Sequence, residues 1–227
     1  MTNFLNNAER LTYKGGKGEV PYLLHLPEGH EEMGALPVIM LLSCGNSDNT
    51  CGSANNGCGN KENAWQAWPA DTVIFNKLID DKFPCIIVAP KCNNWCEPEA
   101  ADSAWYIIDG IKKTYNCDPN RVYIIGTRCG AFGLYDYIGI ESDNYGIAAA
   151  VSIDGAYMFD LINNIKKVPL WVCHRVEDEN SKKMIEAVQK VGGKVQSTVF
   201  TSANDFINVG CTETELFTWL FAQRKDS

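Results

Sequence analysis

The sequence predicts an α/β fold with a mostly parallel β-sheet and helices on both faces. Short apolar segments rich in β-branched residues alternate along the chain with longer segments of helical periodicity. This alternation is typical of a parallel sheet whose strands are connected by helices. Several apolar segments contain almost no polar residue, as in VIMLL at 38–42, which indicates strands that are covered on both faces. We therefore expect a central sheet buried between two layers of helices.

Strand-like and helix-like segments alternate along the chain. Strands are expected at 21–27, 36–44, 84–90, 121–126, 147–155, 169–174 and 194–200. Helices are expected at 63–81, at 101–115, from Gly130 onward, at 181–191 and at 212–225. In the second of these helices Trp105, Ile108 and Ile111 recur at helical spacing, which predicts one apolar face that packs on the sheet.

Length, composition and charge are those of one globular domain. We expect a single domain at 1–227, because no linker and no internal repeat divides the chain, and the one biased stretch, at 45–60, is expected to be a long loop. The formal net charge of −8 disfavours binding to nucleic acid or to an anionic membrane. No apolar run reaches the ~18 residues of a membrane-spanning helix. Because the N-terminus lacks a signal-peptide pattern, a cytoplasmic location is the default expectation, and an extracytoplasmic one is the alternative if a signal peptide has been removed.

The ten cysteines leave three chemical states open: free thiols, disulfides and a metal site. CNNWC at 92–96 has a spacing that zinc sites use, and Cys51 or Cys58 could complete such a site across the loop. The segment CGNSDNTCGSANNGC at 44–58 fits less well, because six residues separate its successive cysteines. Free thiols are the main expectation and disulfides the first alternative. No metal and no other cofactor is expected.

Six segments carry a resemblance to a known family. They are YLLHLPEG, LPVIMLLSCGNSDN, FPCIIVAPKC, YNCDPNRVYIIG, VPLWVCHRVED and ELFTWLFAQR. In sequence and in order they resemble segments of α/β-hydrolases of the esterase, polyhydroxybutyrate-depolymerase-like and predicted-peptidase group. The resemblance covers nearly the whole chain from about residue 20. It implies a single-domain α/β-hydrolase fold whose ancestral substrate was an ester or an amide.

The resemblance implies a catalytic serine at the turn that follows the strand at 121–126. In that family the turn has the pattern Gly-x-Ser-x-Gly, and small residues on either side of the serine let the backbone fold tightly. Here Gly126 and Gly130 occupy the two small positions, so the central position is Arg128. A guanidinium stays protonated and offers no lone pair, so Arg128 is not expected to act as a nucleophile.

Of the other two positions of the implied triad, the acid is retained in this sequence and the histidine is not. Asp178, in HRVED, matches the family's acid, although Arg175 replaces the family's glycine in that motif. Asn204 is the best match to the family's histidine, because 201–213 contains no histidine. None of the chain's histidines is expected to lie near the turn; they are His25, His30 and His174.

The resemblance also implies two backbone donors for an oxyanion. One is expected from the segment that follows the second predicted strand, where the chain has Ser43 and Cys44 in place of the family's His-Gly. The other is expected from Cys129, the residue after the central position of the turn.

Loss of both nucleophile and base predicts a hydrolase-like protein without serine-hydrolase activity. We expect it to bind a small anionic or carbohydrate-derived ligand, because Arg128 places a guanidinium where a helix begins. Trp95 is the aromatic residue expected to line such a cleft. The alternative is that Arg128 pairs with Asp178 and fills an inactive pocket.

Two further alternatives keep an enzyme. Cys129 could be the nucleophile if the turn is shifted by one residue to 127–131, since a thiol at a helix N-terminus beside an arginine has a lowered pKa. Alternatively, a relocated site could use Ser43, Asp154 or the cysteine-rich loop. Asp154 follows a predicted strand, where open α/β sheets collect ligand-facing residues, although such aspartates also commonly form turns.

Overall fold

The computed structural model contains one sheet that is covered by helices on both sides. It describes residues 8–15, 18–43, 69–80, 83–91, 98–155, 161–201 and 214–225. The strands are β1 Glu9–Gly15, β2 Gly18–His25, β3 Leu36–Leu42, β4 Ile86–Pro90, β5 Cys117–Thr127, β6 Ile147–Ile153, β7 Leu170–Arg175 and β8 Val195–Phe200. The helices are α1 Pro69–Asp80, α2 Pro98–Thr114, α3 Cys129–Tyr145, α4 Ile162–Ile165, α5 Glu179–Lys190 and α6 Thr214–Ala222.

The sheet is mostly parallel, as the sequence predicts. Its strand order is β1-β2-β4-β3-β5-β6-β7-β8. β2 pairs in antiparallel orientation with β1 and β4, and every other pair in the sheet is parallel. The chain moves from β3 to β4 on one side and then to β5 on the other, so the strand order reverses between β3 and β5. Ligands of open α/β sheets bind at such a switch point, outside the carboxyl ends of the strands.

Two apolar clusters form the core, one on each face of the sheet. Along β5 the side chains alternate, so that Val122 and Ile124 belong to one cluster and Tyr123 and Ile125 to the other. Helices α2, α3 and α5 contribute to the first cluster, whereas α1 and α6 contribute to the second. The predicted layer of helices on each face is therefore confirmed. No helix in the described ranges has the length and hydropathy needed to cross a lipid bilayer.

The first strand and the fourth helix are not among the predicted elements. β1 is an edge strand whose exposure alternates, and it carries few apolar side chains apart from Leu11 and Tyr13. Its stability depends on pairing with β2 along its whole length, from Glu9 opposite Leu24 to Gly15 opposite Gly18. α4 spans only four residues, too few to produce a helical periodicity in the sequence.

Several predicted boundaries are wrong by a few residues. β5 begins at Cys117 and α2 at Pro98, both earlier than expected, whereas β6 ends at Ile153. The early part of β5 is polar and half-buried, so it lacks the apolar run that marks the rest of the strand. The predicted start of the first helix, at 63–68, and the expected loop at 45–60 lie outside the described residues.

Close backbone contacts hold the turn between β5 and α3. A Cβ atom at Gly130 would overlap the carbonyl oxygen of Leu42, at the end of β3. A Cβ atom at Gly126 would lie 2.6 Å from the carbonyl oxygen of Gly130. Both contacts would be closer than ordinary van der Waals contacts, so this turn requires glycine at both positions. The contact with Leu42 also shows that α3 begins against the end of β3.

The contact predicts that Gly130→Ala destabilises the protein. The added methyl group must displace the Leu42 backbone, and we expect the free energy of unfolding to fall by at least ~2 kcal/mol in urea titrations. Gly110→Ala, in α2, is the matched control, because no atom lies within 4 Å of its added Cβ. That variant should instead gain about 0.5–1 kcal/mol, since alanine favours helix over glycine. Equal effects of the two substitutions would contradict the proposed constraint.

Candidate functional site

Three charged residues meet at the carboxyl ends of neighbouring strands. Arg128 follows β5, Asp154 follows β6, and Arg175 is the last residue of β7. The parallel register places Thr127 opposite Ile153, so the ends of β5 and β6 lie side by side, and β7 continues the same edge. We refer to Arg128, Asp154 and Arg175 as the elbow cluster.

Arg128 has an unusual backbone conformation, with φ 51° and ψ −110°. Residues other than glycine rarely adopt a positive φ. The conformation costs about 1–3 kcal/mol, so it persists only where the surrounding structure imposes it. Here the Arg128 N–H donates to the carbonyl of Ile153 at 2.8 Å, and its own carbonyl accepts from the N–H of Ala131 at 3.0 Å. A strained residue between a strand and a helix, flanked by close-packed glycines, is the backbone of a nucleophile elbow. Its apex carries an arginine.

Cys129 does not lie at the apex of this turn. It is the first residue of α3 and is buried, and the only described non-glycine residues with positive φ are Arg128 and Asp154. The Cys129 sulfur forms a disulfide bond, so the expectation of free thiols is wrong at this position. Cys85, Cys117 and Cys173 are not disulfide-bonded. A disulfide sulfur carries no thiolate, so in this state Cys129 is not a nucleophile.

Asp154 bridges the two arginines of the elbow cluster. Its Oδ1 accepts a hydrogen bond from Arg175 Nε at 2.9 Å, and its Oδ2 lies 3.9 Å from Arg128 Nε. Burial raises the pKa of the Asp154 carboxyl, whereas the neighbouring guanidiniums of Arg175 and Arg128 act in the opposite direction. Its φ of 52° shows that it also turns the chain. Asp154 is therefore both a turn residue and the shared counter-ion of two guanidiniums.

Asp178 caps a helix rather than pairing with Arg128. Its Oδ1 accepts hydrogen bonds from the N–H groups of Asn180 and Ser181, each at 3.1 Å, and its Oδ2 accepts one from Ser181 Oγ at 2.7 Å. These bonds satisfy the first turn of α5, as an N-cap residue does. The expected pair of Arg128 with Asp178 is wrong, because within the described residues Arg128 pairs with Asp154.

A cavity of about 440 Å³, which we call the elbow cavity, opens beside the elbow cluster. Phe132 of α3 lines it, together with Glu177 and the first residues of α5, including Asp178 and Asn180. Because α3 and α5 both begin at this cavity, the positive ends of two helix dipoles face it. A larger cavity of about 780 Å³ is lined by residues such as His25 and Cys85, at the sheet edge where β4 begins. The larger cavity therefore lies away from the elbow.

Of the other predicted site residues, only Ser43 lies within the described ranges. It is half-buried and follows Leu42, the residue whose carbonyl contacts the start of α3. Cys44, Trp95 and Asn204 lie outside the described residues, so their roles stay predictions. The pairing of Arg175 with Asp154 is not among the expectations. Its only sequence signal is that Arg175 stands where the resembling family has glycine.

None of the chain's histidines lies at the apex of the elbow. His25 pairs with Ile87 at the start of β4, and the His30 ring packs against Tyr115 just before β5, so both lie at the opposite edge of the sheet. His174 is buried within β7, and its Nδ1 lies 2.9 Å from the carbonyl oxygen of Arg175.

The metal alternative stays a prediction. Its candidate ligands lie outside the described residues: Cys51, Cys58, Cys92 and Cys96. In the part of the chain that the structure describes, no group of three or more histidine, cysteine or acidic side chains is arranged to hold a metal ion.

The raised pKa of Asp154 predicts a pH dependence of stability. Because burial raises this pKa above its ordinary value of 3.8, the folded protein holds the proton more tightly than the unfolded chain does. The stabilising contribution of the protonated form is complete below 3.8 and is lost as the pH rises through the raised pKa. Asp154→Asn removes this contribution and tolerates positive φ.

We therefore expect the free energy of unfolding of the wild type, relative to Asp154→Asn, to decrease as the pH rises above about 4. Urea titrations between about pH 4 and pH 7 measure both proteins in the same buffers. A difference that stays constant over this range would show that Asp154 has an unperturbed pKa.

Comparisons with known proteins identify the fold. No family model matches the chain, and no curated protein matches it. A thermostable esterase structure is similar to this chain, with a TM-score of 0.79 at 22% identity. The match covers 98% of this chain and 64% of the esterase, so this chain spans less than two thirds of the length of that esterase. A ferulic acid esterase is similar with a TM-score of 0.67 at 15% identity, covering 94% of this chain and 97% of that one. A mutant of the feruloyl esterase module from Clostridium thermocellum, complexed with sinapinate, has a TM-score of 0.62 at 15% identity and covers 95% of this chain and 93% of that one. The chain therefore has the α/β-hydrolase fold that these esterases share.

Proposed function

We propose that this protein is a non-hydrolytic α/β-hydrolase-fold protein that binds a small carboxylate ligand at the elbow cavity. The observation that carries the proposal is Arg128 at the apex of the elbow, with φ 51°. In a serine hydrolase this apex holds the hydroxyl that attacks the ester carbonyl. A guanidinium has no basic lone pair at any physiological pH, so the attack does not take place from this position.

The surroundings of the apex support the absence of ester hydrolysis. The carboxylate of Asp178, at the implied acid position, caps α5 and has no histidine to orient. The implied base position is Asn204, an amide that does not accept a proton. Without a nucleophile and a base, enzymes of this type keep only substrate binding and oxyanion stabilisation.

The chemistry of the cavity supports a carboxylate as the ligand. The guanidiniums of Arg128 and Arg175 both face it, and their planar forks match the two oxygens of a carboxylate. The start of α3 adds the positive end of a dipole from a helix of 17 residues. The feruloyl esterase module to which this chain is similar was complexed with sinapinate, an aromatic carboxylate. An aromatic ring could pack against Phe132, which lines the same cavity.

The ion pair with Asp154 is compatible with a ligand at Arg128. The 3.9 Å between Asp154 Oδ2 and Arg128 Nε is an ion-pair distance that exceeds a hydrogen bond. A guanidinium carries five N–H donors, so it can hold an internal carboxylate and a ligand carboxylate together. The carbohydrate-derived alternative depends on Trp95, outside the described residues, whereas the two guanidiniums that line the cavity favour the anionic ligand.

An ester-hydrolysis assay tests the loss of activity. We expect no turnover of p-nitrophenyl acetate by the wild type above the buffer blank, even at high protein concentration. Arg128→Ser alone should stay inactive because the base is missing, whereas Arg128→Ser/Asn204→His should gain measurable turnover. Arg224→Gln is the control, because Arg224 pairs with Asp118 at 3.0 Å on the opposite edge of the sheet. Wild-type turnover that Arg224→Gln keeps and Arg128→Ser abolishes would refute the proposed function.

A binding measurement tests the ligand class. We expect sinapinate to bind the wild type in isothermal titration calorimetry, and Arg128→Gln to weaken its binding about tenfold or more, because a charge-assisted hydrogen-bond pair is lost. Arg224→Gln should bind like the wild type. The absence of sinapinate binding to the wild type, or equal affinity in the two variants, would show that Arg128 is not the carboxylate-binding residue.

A further inference from the structure

We propose that Asp154 determines the charge specificity of the elbow cavity: a fixed internal carboxylate that already engages both guanidiniums, so that the cavity accepts monocarboxylates and discriminates against dianions. The inference rests on the proposed function and names the charge class of its ligand.

The backbone on both sides of Asp154 is fixed. Its N–H donates to the carbonyl of Cys173 at 2.9 Å, and two residues earlier Ser152 Oγ donates to the carbonyl of Gly155 at 2.7 Å. Gly155 in turn packs against the elbow, since a Cβ atom there would lie 2.7 Å from the carbonyl oxygen of Arg128. The Asp154 side chain is only 13% exposed. A ligand therefore meets this carboxylate in place and does not displace it.

Asp154 holds part of the positive charge that a ligand would otherwise meet. Its two oxygens lie 2.9 Å from Arg175 Nε and 3.9 Å from Arg128 Nε, so one carboxylate is shared between two guanidiniums. A ligand carboxylate that approaches the same guanidiniums is attracted by them and repelled by Asp154. Because Coulomb energies scale with the product of the charges, a dianion doubles the attraction as well as the repulsion. The described residues that line the cavity carry two guanidiniums and four carboxylates, so the second charge of a dianion meets a lining whose net charge is negative.

The other charged residues that line the cavity act in the same direction. Glu177 lies 3.7 Å from Arg175 Nη1, but its side chain is 63% exposed, which weakens its field. Asp178 is engaged as the cap of α5, and Glu179 pairs with Lys182 at 2.6 Å on the surface. The partners of these three carboxylates reduce their repulsion of a ligand. Asp154, buried and between the two guanidiniums, is therefore the one whose charge a bound ligand senses most strongly.

Paired ligands of one ring and different charge test the inference. Benzoate carries one carboxylate and isophthalate two, and calorimetric titration at about pH 7.5 gives the affinity of each. We expect the wild type to bind benzoate more tightly than isophthalate. In Asp154→Asn both affinities should rise, and the ratio of the isophthalate affinity to the benzoate affinity should rise about tenfold or more, because a unit charge about 5 Å away is worth more than that factor at an effective dielectric constant of about 20. Asparagine keeps the positive φ of this position.

Two further variants separate a charge effect from a structural one. Asp118→Asn removes another carboxylate that pairs with an arginine, with 14% of its side chain exposed, at the far end of β5; its ratio should equal that of the wild type. Arg175→Gln keeps Asp154 and removes one guanidinium, so it should weaken both ligands and weaken isophthalate more. This variant carries the test if Asp154→Asn fails to fold.

The outcomes distinguish the inference from the proposed function. If benzoate binds and depends on Arg128, but neither Asp154→Asn nor Arg175→Gln changes the ratio, the inference is wrong and the proposed function stands. If Asp154→Asn weakens both ligands by the same factor, Asp154 has only a structural role and the inference is again wrong. If neither ligand binds the wild type or Asp154→Asn, both proposals are overturned.

Discussion

The site depends on the contact between the first turn of α3 and the carbonyl oxygen of Leu42. This contact leaves no room for a side chain at Gly130, and the turn that follows β5 leaves none at Gly126. Because both glycines are closely packed, they restrict the backbone conformation of Arg128, which has a φ of 51°. The same constraint fixes where α3 begins, at the point where the strand order reverses. Whatever residue stands at this apex is therefore presented to the cavity.

Several energetically unfavourable features collect at this edge of the sheet. Two non-glycine residues with positive φ, Arg128 and Asp154, each cost about 1–3 kcal/mol. A buried carboxylate adds a desolvation penalty that its guanidinium partners offset only in part, as the raised pKa of Asp154 indicates. The apolar clusters on the two faces of the sheet allow the fold to tolerate these costs. Strain and buried charge of this kind, concentrated at one edge, are typical of a functional site.

The strands that are apolar at nearly every position could be predicted from the sequence. β3, β4, β6 and β7 are continuous apolar runs, so each was placed to within a few residues. The resemblance to a family with a Gly-x-Ser-x-Gly turn, matched at Gly126 and Gly130, implied that Arg128 stands at the apex. β1 was not predictable in the same way, because it is half-exposed and is held by its pairing with β2.

The partners within the site could not be derived from the sequence. The ion pair between Arg175 and Asp154 joins residues 21 positions apart and depends on the register of β6 against β7. The use of Asp178 as a helix cap depends on where α5 begins. The disulfide at Cys129 is likewise a pairing that no local pattern encodes. Local patterns therefore predicted where candidate site residues lie, and long-range packing decided which of them meet.

Covalent labelling tests the central claim, that the apex of the elbow carries no nucleophile, most directly. A fluorophosphonate probe forms a stable bond with the activated serine of a hydrolase and releases fluoride. The wild-type protein, incubated with excess probe and weighed intact by mass spectrometry, should show no added mass. A single stoichiometric adduct, lost when the protein is first unfolded, would show that an activated nucleophile exists in the folded protein and would contradict this account.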